Sequence, residues 1–184
     1  MKTALLLHGT GGSNTDYFWF ADTKKFLEDH GYYVWWPLLP HTEKPNLQDT
    51  CDFIKNQHPD LDAETIIIGH SSAAPAILHL LEGWVPVKQV VLVGGFYQSL
   101  DDDGYSDAML PEQFYWDTIK TKADQIIMIN SDNDPWGATD IQARTPAVKL
   151  GATLIVPTGQ GHMGSLTYEQ PYREFPLLKT LLLV

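Results

Sequence analysis

Cysteine is almost missing from this chain. Cys51 is the single one in 184 residues, which excludes an intrachain disulfide and any Cys-x-x-Cys zinc site. Its helical setting beside Asp52 reads as a structural thiol, since a neighbouring carboxylate raises a thiol pKa. His-Glu-x-x-His is absent too, so neither a metal nor an organic cofactor is expected. Cations are scarce: 12 Lys and Arg stand against 23 Asp and Glu, a net charge of −11. That balance argues against a nucleic acid or an acidic membrane surface as partner and serves solubility. No apolar run approaches a membrane span. The opening stretch imitates a secretory leader, but its apolar part breaks at His8-Gly9, so the cytoplasm is the expected location. The glycines at 9, 11 and 12 lack the G-K-[ST] of a phosphate loop, and no G-x-G-x-x-G supports a dinucleotide site.

What is present has the composition of a globular protein, 43% hydrophobic and 19% charged. The length suits one domain over residues 1–184. Short apolar runs at 3–8, 32–36, 65–68, 87–93, 125–130 and 153–156 alternate with helical patterns at 16–29, 46–57, 72–82, 139–150 and 175–182. Pro146 sits awkwardly inside the fourth of these helices. Continuous apolar runs without period-two alternation read as strands covered on both faces. Helices between them imply right-handed crossovers, hence a parallel sheet in a three-layer α/β domain. The longest irregular stretch, 94–111, carries the acidic run Asp101-Asp102-Asp103, read as a solvated loop.

In an open parallel sheet, ligands bind at the carboxyl ends of the strands. His8-Gly9-Thr10-Gly11-Gly12 follows the first run, Gly69-His70-Ser71-Ser72-Ala73 the third, Ser131-Asp132-Asn133-Asp134-Pro135-Trp136 the fifth, and Gly161-His162-Met163-Gly164 the sixth. A serine on a sharp strand-to-helix turn has its hydroxyl exposed at the top of the sheet. It needs a base to take its proton, and a carboxylate to fix and charge-balance that base. Ser71, His162 and Asp134 are the candidates, with Asp132 and then Asp140 as alternatives for the acid. The oxyanion donors would be the backbone N–H groups of Ser72 and Thr10. His8 would shape the glycine loop and His70 would pack beneath the serine turn. Trp136 and Met163, and less directly Trp19, Tyr97, Phe114 and Trp116, are placed to line a pocket suited to an apolar acyl or aryl group.

On these four motifs the chain resembles, over nearly its whole length, the small serine hydrolases related to retinoblastoma-binding protein 9, a cap-less branch of the α/β-hydrolase superfamily. The resemblance implies Ser71, Asp134 and His162 as a triad, about six parallel strands in the order 2-1-3-4-5-6, and no large cap. Residues 94–120 would at most partly cover a small, open pocket. It implies cleavage of a small-molecule acyl ester through an acyl-enzyme. An amidase or peptidase with the same triad is the alternative within enzymes, and a non-catalytic protein-binding module on the same fold the alternative outside them. Assembly would be a monomer or small homo-oligomer. Two departures stand out: Ala73 occupies the second glycine of G-x-S-x-G, and no L-x-C-x-E segment is present, so no retinoblastoma-type partner is carried over.

Overall fold

The computed structural model describes residues 2–100 and 104–184. The acidic run at 101–103 lies outside the described residues. One six-stranded sheet is built from β1 (Lys2–Leu7), β2 (Tyr32–Trp35), β3 (Ile66–His70), β4 (Val87–Val93), β5 (Ala123–Ile129) and β6 (Thr153–Ile155). Every pairing is parallel, in the order β2-β1-β3-β4-β5-β6. The expected order is therefore the observed one.

The two faces explain the uniform hydrophobicity of the strands. Leu5, Leu7, Ile67, Val90, Leu92, Ile126 and Met128 point into one buried cluster. Ala4, Leu6, Ile66, Ile68, Val91, Val93, Ile127 and Ile129 point into the other. Successive strand residues alternate sides, so a sheet covered twice needs apolar residues at every position. Helices α2 (Leu47–Gln57), α3 (Ala73–Leu81), α4 (Trp116–Ile119) and α5 (Asp140–Leu150) cover the first face. Helices α1 (Phe20–Asp29) and α6 (Pro176–Leu181) cover the second. Fully burying one Leu or Ile side chain contributes about 1.5–3 kcal/mol, and Leu5, Leu6, Leu7, Ile66, Ile67 and Ile68 are all completely enclosed.

Three local differences matter for the site. The first helix starts at Phe20, not at 16. Phe18 takes a left-handed φ of 48°, and Tyr17, Phe18 and Trp19 turn inward around the buried His70 ring at 5.9–6.1 Å. An aromatic cluster outweighs helical periodicity there. Helix α5 runs through Pro146 and ends on Gly151 at φ 65°; the ring is buried, and helix packing compensates for one missing N–H. Between β4 and β5 lie a 3₁₀ turn (Asp107–Met109) and the short α4, with no large cap among the described residues.

Candidate active site

Ser71 follows β3 directly and adopts φ 54°. A left-handed backbone at a non-glycine residue is held only where its surroundings impose it. Here the Ser71 N–H donates to the Val93 carbonyl at 2.8 Å, and the Ser71 carbonyl accepts from Ala74 N–H at 2.9 Å. The turn is thereby locked between the end of β4 and the first turn of α3. Gly9 lies against it: a Cβ there would stand 2.6 Å from the Ser71 Cβ, a separation only glycine allows. The Ala73 Cβ is accommodated as a buried first residue of α3.

The glycine loop after β1 is tied to this turn. Thr10 Oγ1 donates to Ser72 Oγ at 3.1 Å. His8 accepts the Leu39 N–H on Nε2 at 2.9 Å, which leaves the proton on Nδ1 to donate to the Gly9 carbonyl at 2.8 Å. Burial lowers the His8 pKa and keeps the ring neutral. Among the described residues, no protein acceptor engages the N–H of Thr10 or of Ser72.

Of the three carboxylates weighed for His162, Asp134 is the one that reaches it. His162 Nδ1 and Asp134 Oδ2 are 2.5 Å apart, with both side chains almost fully enclosed. Asp134 Oδ1 accepts the Trp136 N–H at 2.9 Å, fixing the carboxylate plane. With Nδ1 donating to the carboxylate, the imidazole keeps an unshared pair on Nε2. Asp132 instead accepts the Gly159 N–H at 2.8 Å. Asp140 is paired with Arg144, whose Nη2 lies 2.6 Å from its Oδ2.

The backbone carrying His162 is held from both sides. Ser131 Oγ accepts from Gln160 N–H at 3.0 Å, and Asn133 Oδ1 from Gly161 N–H at 2.8 Å. Gln170 Oε1 accepts from His162 N–H at 2.9 Å. On the opposite side, His70 Nε2 donates to the His162 carbonyl at 2.9 Å and Trp19 Nε1 to the Met163 carbonyl at 2.9 Å. Complete burial, then the nearby His162, lower the His70 pKa to about 3, so its neutral ring donates on one nitrogen and faces the Tyr17 hydroxyl, 3.4 Å away, on the other. Gly161 has φ 57°, and a Cβ there would meet Gln170 Nε2 at 1.9 Å. The roles of Asn133, Gln170 and Tyr17 were not read from the sequence. Asn133 lies within the Ser131–Trp136 motif, but nothing local marks Gln170 or Tyr17.

Ser71, Ser72, Thr10 and His162 all border one cleft of about 640 Å³, larger than the small pocket expected. Trp136 lines it. Trp19, Met163 and Tyr97 do not: all three are buried side chains of the core, drawn in by packing around the site's supporting layer. The rings of Phe114 and Trp116 pack against each other in a tilted pair, centroids 4.7 Å apart, and neither lines the cleft. Leu100, Tyr105, Ser106 and Met109 of the β4–β5 segment form part of the wall. Cys51 is buried, its pKa pushed up to about 12 by desolvation, and it plays no part in the cleft. Among the described residues no helix is long and apolar enough to cross a membrane.

The serine hydrolase family profile matches residues 4–182. The chain belongs to the serine hydrolase family. It is 30% identical over 171 residues to the putative hydrolase YdeN of Bacillus subtilis, covering 86% of this chain and 88% of that protein. It is 26% identical to the serine hydrolase RBBP9 of Rattus norvegicus, covering 92% and 91%. The crystal structure of YdeN superposes with a TM-score of 0.89 over 98% of this chain and 96% of that one, at 24% identity. The crystal structure of esterase PE8 gives a TM-score of 0.59 at 17% identity, covering 90% and 86%. This serine hydrolase thus has the α/β-hydrolase sheet, with no large cap among the described residues.

Proposed function

We propose that this serine hydrolase cleaves carboxylic esters by two-step acyl transfer, with Ser71 as nucleophile, His162 as base and Asp134 as its partner. The observation that carries the reading is the buried 2.5 Å Asp134–His162 pair, whose imidazole borders the same cleft as the strained Ser71 turn. Membership of the serine hydrolase family and a fold shared with an esterase support it.

In this reading Ser71 Oγ bonds to the carbonyl carbon while its proton passes to His162 Nε2. The carbonyl electrons move onto oxygen, where the Ser72 and Thr10 N–H groups and the N-terminal end of α3 stabilise the charge. Collapse breaks the carbon–oxygen bond to the alcohol, which leaves with the proton from His162. Water then attacks the acyl-Ser71 ester, gives its proton to His162, and releases the acid as Ser71 Oγ takes that proton back. Asp134 stabilises the imidazolium formed in each half. Among the described residues no hydrogen bond engages the Ser71 hydroxyl; in the proposed reaction its contact to His162 forms on substrate binding, as catalytic hydrogen bonds often tighten only in the complex.

A fluorophosphonate probe tests the assignment. Wild type should be labelled on a single serine and Ser71→Ala should not be labelled at all; labelling that persists in Ser71→Ala overturns the nucleophile. Activated short-chain esters compared with aminoacyl arylamides then separate an esterase from an amidase with the same triad. In the cell, we place the protein in the cytoplasm.

A further inference from the structure

Four large apolar side chains stay exposed around the rim of the cleft: Leu166 at 78%, Tyr105 at 52%, Tyr168 at 46% and Trp136 at 41%. Isolated exposed hydrophobics are ordinary, but several converging on one concavity mark a binding surface. Leu166 and Tyr168 belong to a short loop closed by reciprocal backbone bonds between Ser165 and Gln170, at 3.0 and 2.8 Å. That loop is braced against the acid loop: the Trp136 and Tyr168 rings meet edge to face at 5.0 Å, and Trp136 Nε1 donates to Ser165 Oγ at 3.3 Å. The wall is therefore preformed, and its far end, Gln170, holds the His162 N–H.

The charge of the lining is one-sided. Among the described residues that line the cleft, the only ionisable side chain other than His162 and the three tyrosines is Glu43, and no Lys or Arg is present. Lys44 is directed onto the Tyr105 ring, 5.4 Å from its centre, and is not a lining residue. A carboxylate or phosphate on the substrate would find no cationic partner in a cleft already holding one acidic side chain. The volume, about 640 Å³, exceeds what a short acyl group fills and lies in the range that encloses a ring-sized ligand.

We infer that the Ser165–Gln170 loop, with Trp136, forms a subsite for an uncharged aryl or bulky alkyl acyl group of the ester substrate, selecting against anionic acyl groups. This rests on the esterase reading above. The chemical discrimination comes from apolar contact on Leu166, Tyr168 and Trp136, a mode worth roughly one to two orders of magnitude in kcat/KM between a small and a ring-bearing substrate.

The test holds the alcohol constant and varies the acyl group: methyl acetate, methyl phenylacetate and methyl 4-carboxyphenylacetate, followed by proton release. Wild type should favour phenylacetate over acetate by about tenfold or more in kcat/KM, and favour it over the carboxylated ester by a similar factor. In the double substitution Leu166→Ser with Tyr168→Ser, the phenylacetate-to-acetate ratio should fall towards one. Both positions are exposed, and fluorophosphonate labelling of Ser71 reports whether the variant keeps its fold. A labelled double variant whose ratio matches wild type overturns the subsite, as does a wild type that turns over the carboxylated ester as fast as the neutral one. A wild type unlabelled on Ser71 brings down the hydrolase reading instead, so the two failures are distinguishable.

Discussion

Two aspartates two residues apart do different work because one loop points them to different places. Asp134 gives one oxygen to the His162 ring and the other to the Trp136 N–H. Asp132 gives its oxygen to a backbone amide of the histidine loop. In the proposed reaction, Asp134→Asn replaces an acceptor for Nδ1–H with a group that can impose the wrong imidazole tautomer. It should lower kcat by about 10⁴, as a triad aspartate-to-asparagine change does elsewhere. Asp132→Asn retains an oxygen for the Gly159 N–H and should lose far less. Steady-state hydrolysis of one ester by both variants checks the pair; a larger loss at 132 would move the acid role there.

At the level of elements, the loop after β5 and the loop after β6 act as one unit. Side chains at 131, 132 and 133 take three successive amides, 160, 159 and 161, and Gln170 takes the next. Each bond fixes the imidazole relative to Ser71 rather than touching substrate. Asn133→Ala or Gln170→Ala should therefore reduce kcat by about tenfold with KM little altered, the scale of one net hydrogen bond. Asn133→Asp and Gln170→Glu, which keep the acceptor oxygen, should recover most of the loss. A fall confined to KM, or no recovery in the conservative variants, would contradict a positioning role.

For the molecule as a whole, the buried histidine under the site links folding to acidity. His70 has a folded pKa near 3, against an ordinary 6.5. Between those values the unfolded chain binds a proton that the folded chain does not. Stability is therefore full above about pH 6.5, is lost as pH falls towards 3, and levels off below. The slope across that window approaches about 1.4 kcal/mol per pH unit for this one group; the desolvated His8 acts in the same direction. Urea unfolding at about pH 7.5 and about pH 5 should show the decrease, and His70→Asn should flatten it. An unchanged pH slope in that variant would mean that His70 takes up its proton in the folded state as well.

Local chemistry settled a good deal. Six apolar runs became six parallel strands because a strand buried on both faces needs uninterrupted hydrophobicity, a property written along the chain itself. The strand-end motifs were legible for the same reason: a glycine loop, a serine turn, an acidic turn and a histidine turn are each local. What only three dimensions decided is which partners meet. Asp134 rather than Asp132 reaches His162 because of how one turn is folded against another, and one-residue steps in a loop leave no periodic trace. Trp19 and Met163, adjacent to site motifs in sequence, were pulled into the interior, where the indole N–H binds the methionine carbonyl. Leu166 and Tyr168, unremarkable in sequence, were left on the cleft wall by a backbone bridge closed five residues apart.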